Sequence, residues 1–308
     1  MKILVMGSGG VGGYFGGRLA AAGNDVTFVA RGSHLAAIQK DGLTLDSQLG
    51  NAVIKPAKVT HDPTTAGVPE IVIFATKMGD TEGAAHQLKP MVRDSVTIIT
   101  FQNGVEGPEI LGCVLPGAHI VPGVARIASH ISKPGVIEQR SPFARIEFGE
   151  AKGGSSPKLD AFHVVCKSAG IDAVVSDNIQ RNVWMKFAML APFSGMTALT
   201  GQTAGPIRTT PGTRALIEAA VKEVIAVGKA AGAGFKDGDF EALMKIIEGN
   251  PAGMTSSMAH DRMAGKPLEV NYLSGAVVRI GEKHGVAAPT HTFITQALAI
   301  DVAGKKPL

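Results

Sequence analysis

Gly7, Gly9 and Gly12 follow the apolar run Lys2 to Met6 in a G-x-G-x-x-G pattern, inside the opening MKILVMGSGGVGGYFGG. The spacing predicts a strand, a tight turn and a helix that starts within the turn. Each glycine answers a steric demand. Gly7 allows the turn, Gly9 lets the backbone approach a pyrophosphate, and Gly12 lets the helix lie close to the strand. The helix N-terminus then offers N–H groups and a positive dipole end to the phosphates. A glycine triplet alone is a weak signal in a chain with 39 glycines. Its context strengthens it. Tyr14, Phe15 and Leu19 give the next segment helical spacing, and Asp25-Val26-Thr27-Phe28-Val29 reads as a second strand after a turn at Gly23-Asn24. Gly7, Ser8, Gly9, Gly10, Val11 and Gly12 are therefore the expected dinucleotide loop. The alternative is a glycine-rich loop without a ligand.

The tip of the second strand selects among nucleotides. It reads Ala30-Arg31-Gly32-Ser33 and lacks the carboxylate that would hold a ribose 2′-hydroxyl. Arg31 can pair with a 2′-phosphate through its planar fork, and Ser33 can add a hydrogen bond. The expected cofactor is NADPH. The competing reading of Arg31 is an ordinary solvated side chain.

With 308 residues the chain has room for two domains. A net charge of +4 without a Lys/Arg cluster gives nucleic-acid binding little support, and suits an anionic cofactor and substrate. Cys113 and Cys166 show neither metal-ligand spacing nor a Cys-x-x-Cys pattern, so no metal and no disulfide framework are expected. The first strand begins at once, with no leader visible, and the apolar stretch 187–199 is short and broken by Pro192, Ser194 and Gly195. A cytoplasmic protein without membrane contact is the expectation.

Strands and helices alternate in the first half. Segments 71–75, 96–100, 120–125, 136–139, 145–149 and 171–175 read as extended, and 81–92, 106–113 and 157–169 as helical. This order implies an α/β class: a Rossmann-like, mostly parallel sheet domain at 1–177. Beyond it only helical periodicity remains, at 178–200, 213–231, 239–248, 255–263, 271–284 and 291–303. An all-helical C-terminal domain at 178–308 is expected. In open parallel sheets ligands bind beyond the carboxyl ends of the strands. Lys77 follows one such strand and Gln102-Asn103-Gly104 another. Lys77 can meet phosphate or ribose, and Asn103 can present an amide to both nicotinamide ribose and substrate. The competing readings are a solvated lysine and an Asn-Gly turn.

Taken together, these residues resemble a known family. The glycine loop 7–12, Arg31, Thr76-Lys77, Gln102-Asn103-Gly104, Trp184-Met185-Lys186-Phe187, and Ser256-Ser257-Met258 followed by Glu269 are similar to the pattern of the ketopantoate reductase family over nearly the whole length. The resemblance implies NADPH-dependent reduction of a 2-oxo acid to a 2-hydroxy acid, with 2-dehydropantoate, on the route to pantothenate, as the first substrate. It implies that Lys186 is the general acid and that Glu269 is a catalytic carboxylate near the nicotinamide. It further implies that Ser257 contacts substrate and that Ala125, before Arg126, gives a backbone contact to cofactor. Residue chemistry agrees, since a cation beside a carbonyl oxygen stabilises the charge left by hydride transfer and supplies the proton. Read without the family, Lys186 is a snorkelling lysine and Glu269 a helix-start residue.

The match breaks along the lysine helix. The family pattern has asparagines four and eight residues after the lysine, where this chain has Leu190 and Ser194; a third aligns with Ala204. Leu190 and Ser194 join Asn103, Lys186 and Ser257 as the expected substrate wall. Either Gln202, Thr203 or Ser257 replaces the missing amides, or the substrate is a more apolar 2-oxo acid. A non-catalytic NADPH sensor is the alternative from another class. Cofactor on the first domain, closure by the second and a possible homodimer complete the expectation.

Overall fold

Strand β1 (Lys2–Met6) is apolar on both faces because both faces are covered. Successive side chains of a strand point to opposite sides. Ile3 and Val5 enter one core with Phe15, Phe28 and Phe162, while Leu4 and Met6 enter another with Phe74, Leu88 and Leu111. The computed structural model describes residues 1–305. They form two compact units, the first comprising Met1–Gln102 and Gly107–Ile179, the second Asn103–Glu106 and the chain from Gln180 onward.

In the first unit β1 is followed by α1 (Gly10–Ala21), β2 (Asp25–Val29), α2 (Gly32–Asp41), β3 (Leu43–Ser47), β4 (Ala52–Ile54), β5 (Lys58–Thr60) and β6 (Ile71–Phe74). Then come α3 (Thr81–Leu88), β7 (Thr97–Thr100), α4 (Gly107–Val114), β8 (His119–Arg126), β9 (Ser129–Lys133), β10 (Val136–Gln139), β11 (Arg145–Phe148), α5 (Pro157–Ser168) and β12 (Asp172–Val175). Eight strands make one sheet in the order β12-β11-β8-β7-β6-β1-β2-β5. All neighbours run parallel except β8 and β11. Helices α1 and α5 supply buried residues to one face, α3 and α4 to the other. The expected Rossmann-like, mostly parallel sheet is present.

One expectation needs correction. Segment 136–139 is extended, but as β10 it belongs to a second sheet, ordered β4-β3-β10-β9, and not to the parallel sheet. Its strands alternate: Leu43 and Leu45 of β3 and Ile137 of β10 are buried while their neighbours are not. That sheet covers the side of α1 turned away from β1. A Cβ at Gly13 would lie 2.8 Å from Ile137 Cδ1, and one at Gly17 2.9 Å from Leu45 Cδ2. Segments 43–47, 52–54 and 129–133, now β3, β4 and β9, were not among the expected strands.

The second unit contains α6 (Ile179–Thr200), α7 (Ala204–Thr209), α8 (Pro211–Ala230), α9 (Asp239–Gly249), α10 (Ser257–Met263), α11 (Ser274–His284) and α12 (Pro289–Ala297). Among its described residues there is no strand. Its core gathers Trp184, Phe187, Val221, Val224, Leu243, Val277 and Ile294. Pro192 sits inside α6 and withholds the N–H that would serve the carbonyl one turn earlier. The Glu223 carboxylate accepts the N–H groups of Thr290 and His291, closing the start of α12. Beside it the His291 ring is fully buried, and desolvation pushes its pKa down to about 4. No helix among the described residues is long and apolar enough to cross a membrane.

Candidate active site

The carboxyl ends of four strands finish level. Met6 pairs with Val29 and Phe74, and Phe74 with Thr100. Residues 7–12, 30–31, 75–77 and 101–102 leave this edge together. Gln102 ties two of these exits to the start of α3. Its Nε2 donates to the Thr76 carbonyl and Oγ1, each at 3.2 Å, and to Thr81 Oγ1 at 2.8 Å, while its Oε1 accepts from Thr100 Oγ1 at 3.1 Å.

The glycine loop fits a dinucleotide. Gly7 has φ +97°, and a Cβ there would lie 2.7 Å from the Thr76 nitrogen. A Cβ at Gly12 would lie 2.2 Å from the Gly7 carbonyl oxygen. Gly9 is different, since a Cβ there would meet nothing within 4 Å. It is the N-cap of α1 and brings no side chain to the first-turn N–H groups, and no acidic residue lies in that turn. An open space above undirected helix N–H groups, free of carboxylate, suits a pyrophosphate. Gly10 lies under the backbone of β9, and Val11 is half-buried in α1. The Ser8 hydroxyl is buried and donates to the Val29 carbonyl at 2.9 Å, and the Ser8 N–H donates to the same carbonyl at 3.2 Å, so both donors of Ser8 are engaged by β2.

Arg31 is the N-cap of α2, with its side chain 65% exposed and Nη2 3.5 Å from Asp80 Oδ2. Ser33 is exposed on the same turn, and Lys77 is exposed just before the 3-10 turn Met78–Asp80. Ala125 is buried in β8 opposite Ile146 of β11, beyond the level at which β7 ends. Arg126 is held by Glu147 at 3.3 Å.

Within the second unit, Lys186 on α6 donates from Nζ to Asn103 Oδ1 at 2.8 Å. These residues are 83 positions apart. The segment Asn103–Glu106 meets two further elements. Gly104 has φ +96°, and a Cβ there would lie 3.1 Å from the Tyr272 carbonyl oxygen. Arg279 of α11 donates to both Glu106 oxygens, at 2.6 and 3.3 Å. Tyr272 ends a 3-10 turn that opens at Glu269, whose carbonyl accepts the Tyr272 N–H at 2.9 Å. Glu269 is half-buried, and its side chain does not cap the turn. An ammonium, an amide and the turn bearing a carboxylate thus converge on one strap of four residues.

The rest of the expected substrate wall is uneven. Leu190 is half-buried one turn beyond Lys186, and Ser194 a further turn on is fully buried with no partner for its Oγ. Ser257 is exposed at the start of α10. The neighbouring Ser256 is the buried hydroxyl, accepting from the Ala259 N–H at 3.1 Å and lying 2.7 Å from Thr197 Oγ1. Gln202 is exposed and Thr203 is the N-cap of α7. Both cysteines are free, and burial pushes the Cys166 thiol up to about 12, which leaves no thiolate nucleophile there. Sequence reading missed Glu106 and Arg279, 173 positions apart, as well as Asp80 and His34. None of them lies in a motif, and only the folded chain gives them partners.

Residues 3–153 match the family model "Ketopantoate reductase PanE/ApbA", and residues 178–300 match "Ketopantoate reductase PanE/ApbA C terminal". A 2-dehydropantoate 2-reductase of Mesorhizobium japonicum is 30% identical over 312 residues, covering 94% of each chain. The uncharacterized oxidoreductase YkpB of Bacillus subtilis is 29% identical over 289 residues, covering 94% of this chain and 95% of the relative. The crystal structure of a PanE/ApbA family ketopantoate reductase from Ralstonia eutropha JMP134 superposes with a TM-score of 0.90 at 28% identity, covering 98% of both chains. Two models of one family together span nearly the whole length. The chain belongs to the ketopantoate reductase family, nicotinamide-dependent oxidoreductases acting on CH–OH groups.

Proposed function

We propose that this chain reduces the carbonyl of a 2-oxo acid to a 2-hydroxy acid with NADPH, and that 2-dehydropantoate is its first candidate substrate. The observation that carries the reading is the 2.8 Å bond from Lys186 Nζ to Asn103 Oδ1, on a strap that also meets the Glu269 turn. When bound, the reduced nicotinamide would supply the hydride for the carbonyl carbon. The chain's own residues manage the charge that this leaves on oxygen. The Lys186 ammonium stabilises that charge and delivers the proton. Asn103 fixes the direction of one ammonium N–H. Glu269 accepts from the substrate's hydroxyl groups and, as a carboxylate, favours the charged lysine.

Support for NADPH over NADH comes from Arg31, exposed at the end of β2 with no carboxylate at that strand tip. Arg31→Ala is expected to weaken NADPH and leave NADH unchanged. Equal affinities of the wild type for the two would remove the preference.

A second reading has its own observation. Leu190 presents a hydrocarbon one turn from Lys186, which favours a less hydroxylated 2-oxo acid. A panel of 2-oxo acids graded by hydroxylation and apolar bulk, followed by NADPH oxidation, separates the two. Highest kcat/KM on 2-dehydropantoate supports the first reading, and a preference for apolar members supports the second. No turnover with any member would point to a non-catalytic NADPH-binding protein.

A further inference from the structure

His34 lies on the first turn of α2, three residues past Arg31, and is 9% exposed. Each nitrogen of its ring has a partner. The Gly135 N–H, in the turn between β9 and β10, donates to Nδ1 at 3.0 Å. That bond sets the tautomer, so the proton sits on Nε2, which donates to the Ser8 carbonyl at 3.0 Å. Burial pushes the imidazole pKa below its ordinary value, against the opposing pull of the bond to Ser8, and so favours the neutral ring that this pattern needs.

Ser8 is held from a second side. Its N–H and its Oγ donate to the Val29 carbonyl at 3.2 and 2.9 Å. The Ser8–Gly9 peptide is planar, and in a trans peptide the C=O and N–H point in opposite directions. Holding the carbonyl toward His34 therefore aims the Gly9 N–H the other way. Gly9 is the N-cap of α1, where an added Cβ would meet nothing within 4 Å.

We propose that His34 is a positioning residue for the cofactor: by gripping the Ser8 carbonyl it turns the Ser8–Gly9 peptide so that the Gly9 N–H donates to the pyrophosphate. The proposal rests on the dinucleotide reading of the glycine loop and adds the group that sets the loop's orientation. Pyrophosphate is common to NADPH and NADH, so His34 acts on both. Arg31 acts on the 2′-phosphate alone.

Two substitutions separate the contacts of the ring. His34→Asn keeps an acceptor near Nδ1 for Gly135 but cannot reach Ser8. His34→Gln reaches the Nε2 position and can still donate to Ser8. Dissociation constants for NADPH and NADH are measured by calorimetry on wild type, both variants and Arg31→Ala, with thermal melts alongside. His34→Asn is expected to weaken both cofactors by about tenfold, the usual order for one lost buried hydrogen bond. His34→Gln is expected to stay within about threefold of wild type. A His34→Asn protein that melts lower yet binds both cofactors as wild type does would overturn the proposal, because the histidine would then be structural only. A measurement on the wild type guards against a variant that does not fold. The Gly9 amide cross-peak in a proton–nitrogen spectrum should move on saturation with NADPH, and an unmoved cross-peak also overturns the proposal. The underlying reading fails differently. If wild type binds neither cofactor, both fall. If it binds both equally and His34→Asn weakens both, the NADPH preference is lost and the role of His34 stands.

Discussion

The glycine loop of the first unit and the lysine–asparagine pair of the second are built on opposite plans. The loop is made of backbone. Its residues are consecutive, and what they offer is the absence of side chains: at Gly12 a Cβ would collide, and at Gly9 space is left open. The pair is made of side chains drawn from distant segments, and a strap of four residues carries the amide to the lysine. A backbone site is written in local spacing. A side-chain site of this kind exists only after the chain has folded. The first should depend on side chains only where they hold its backbone, as His34 holds the Ser8 carbonyl, whereas the second should fail at a single atom.

The largest effect that tests this contrast is on turnover. Lys186→Ala is expected to lower kcat by about 10²–10⁴, the usual worth of a positioned acid, with the NADPH dissociation constant unchanged. Steady-state kinetics with direct titration of the cofactor checks it. An equal loss of cofactor affinity would mean that the two sites are not separable.

Acid is the next lever. His291 takes a proton near 6.5 when unfolded and near about 4 when folded. Between those values the unfolded chain holds more protons, so the contribution is complete above the upper value and fades as pH falls toward the lower one. About 3 kcal/mol of stability is at stake. Denaturant melts at several pH values should show the wild type losing more than His291→Gln, whose amide can still donate to the Ala220 carbonyl. Parallel curves for the two proteins would remove His291 as the cause.

A smaller effect sharpens the side-chain half of the contrast. Leu190→Asn is expected to lower KM for polyhydroxylated 2-oxo acids by about tenfold and to raise it for apolar ones, through one added hydrogen bond. An unchanged ranking across the substrate panel would place Leu190 outside the substrate wall. The smallest change concerns Asp80, exposed and 3.5 Å from Arg31. Asp80→Asn should tighten NADPH by roughly twofold at low salt, without effect on NADH, because exposed charge pairs are weak and screened.

The contrast also explains what could be read from the chain alone. The glycine loop, the buried strands of the parallel sheet and the long helices were legible, because turn geometry, short continuous apolar runs and helical period are local properties. The pairing of β3, β4, β9 and β10 into a sheet of their own was not, since β10 pairs in parallel with β3 far back in the chain, Val136 opposite Thr44. The short helix α7 is under two turns and shows no period. In the candidate site, Arg31 stood out because the segment Ala30-Arg31-Gly32-Ser33 carries no carboxylate. Lys186 did not, because in an apolar helix it looks like any snorkelling lysine, and only family resemblance marked it. His34 bonds 26 residues back and 101 ahead, beyond the range of any spacing rule.

The strap at Asn103–Glu106 belongs to the second unit although the first unit resumes at Gly107. Its Glu106 is gripped by Arg279 and its Asn103 by Lys186. The two halves of such a chain are therefore not interchangeable parts. A chimera of two relatives joined at residue 179 would set a foreign strap against native Lys186 and Arg279. A graft that carries residues 103–106 together with everything after 179 keeps its partners. In this chain the four residues are therefore expected to move with the helices they serve.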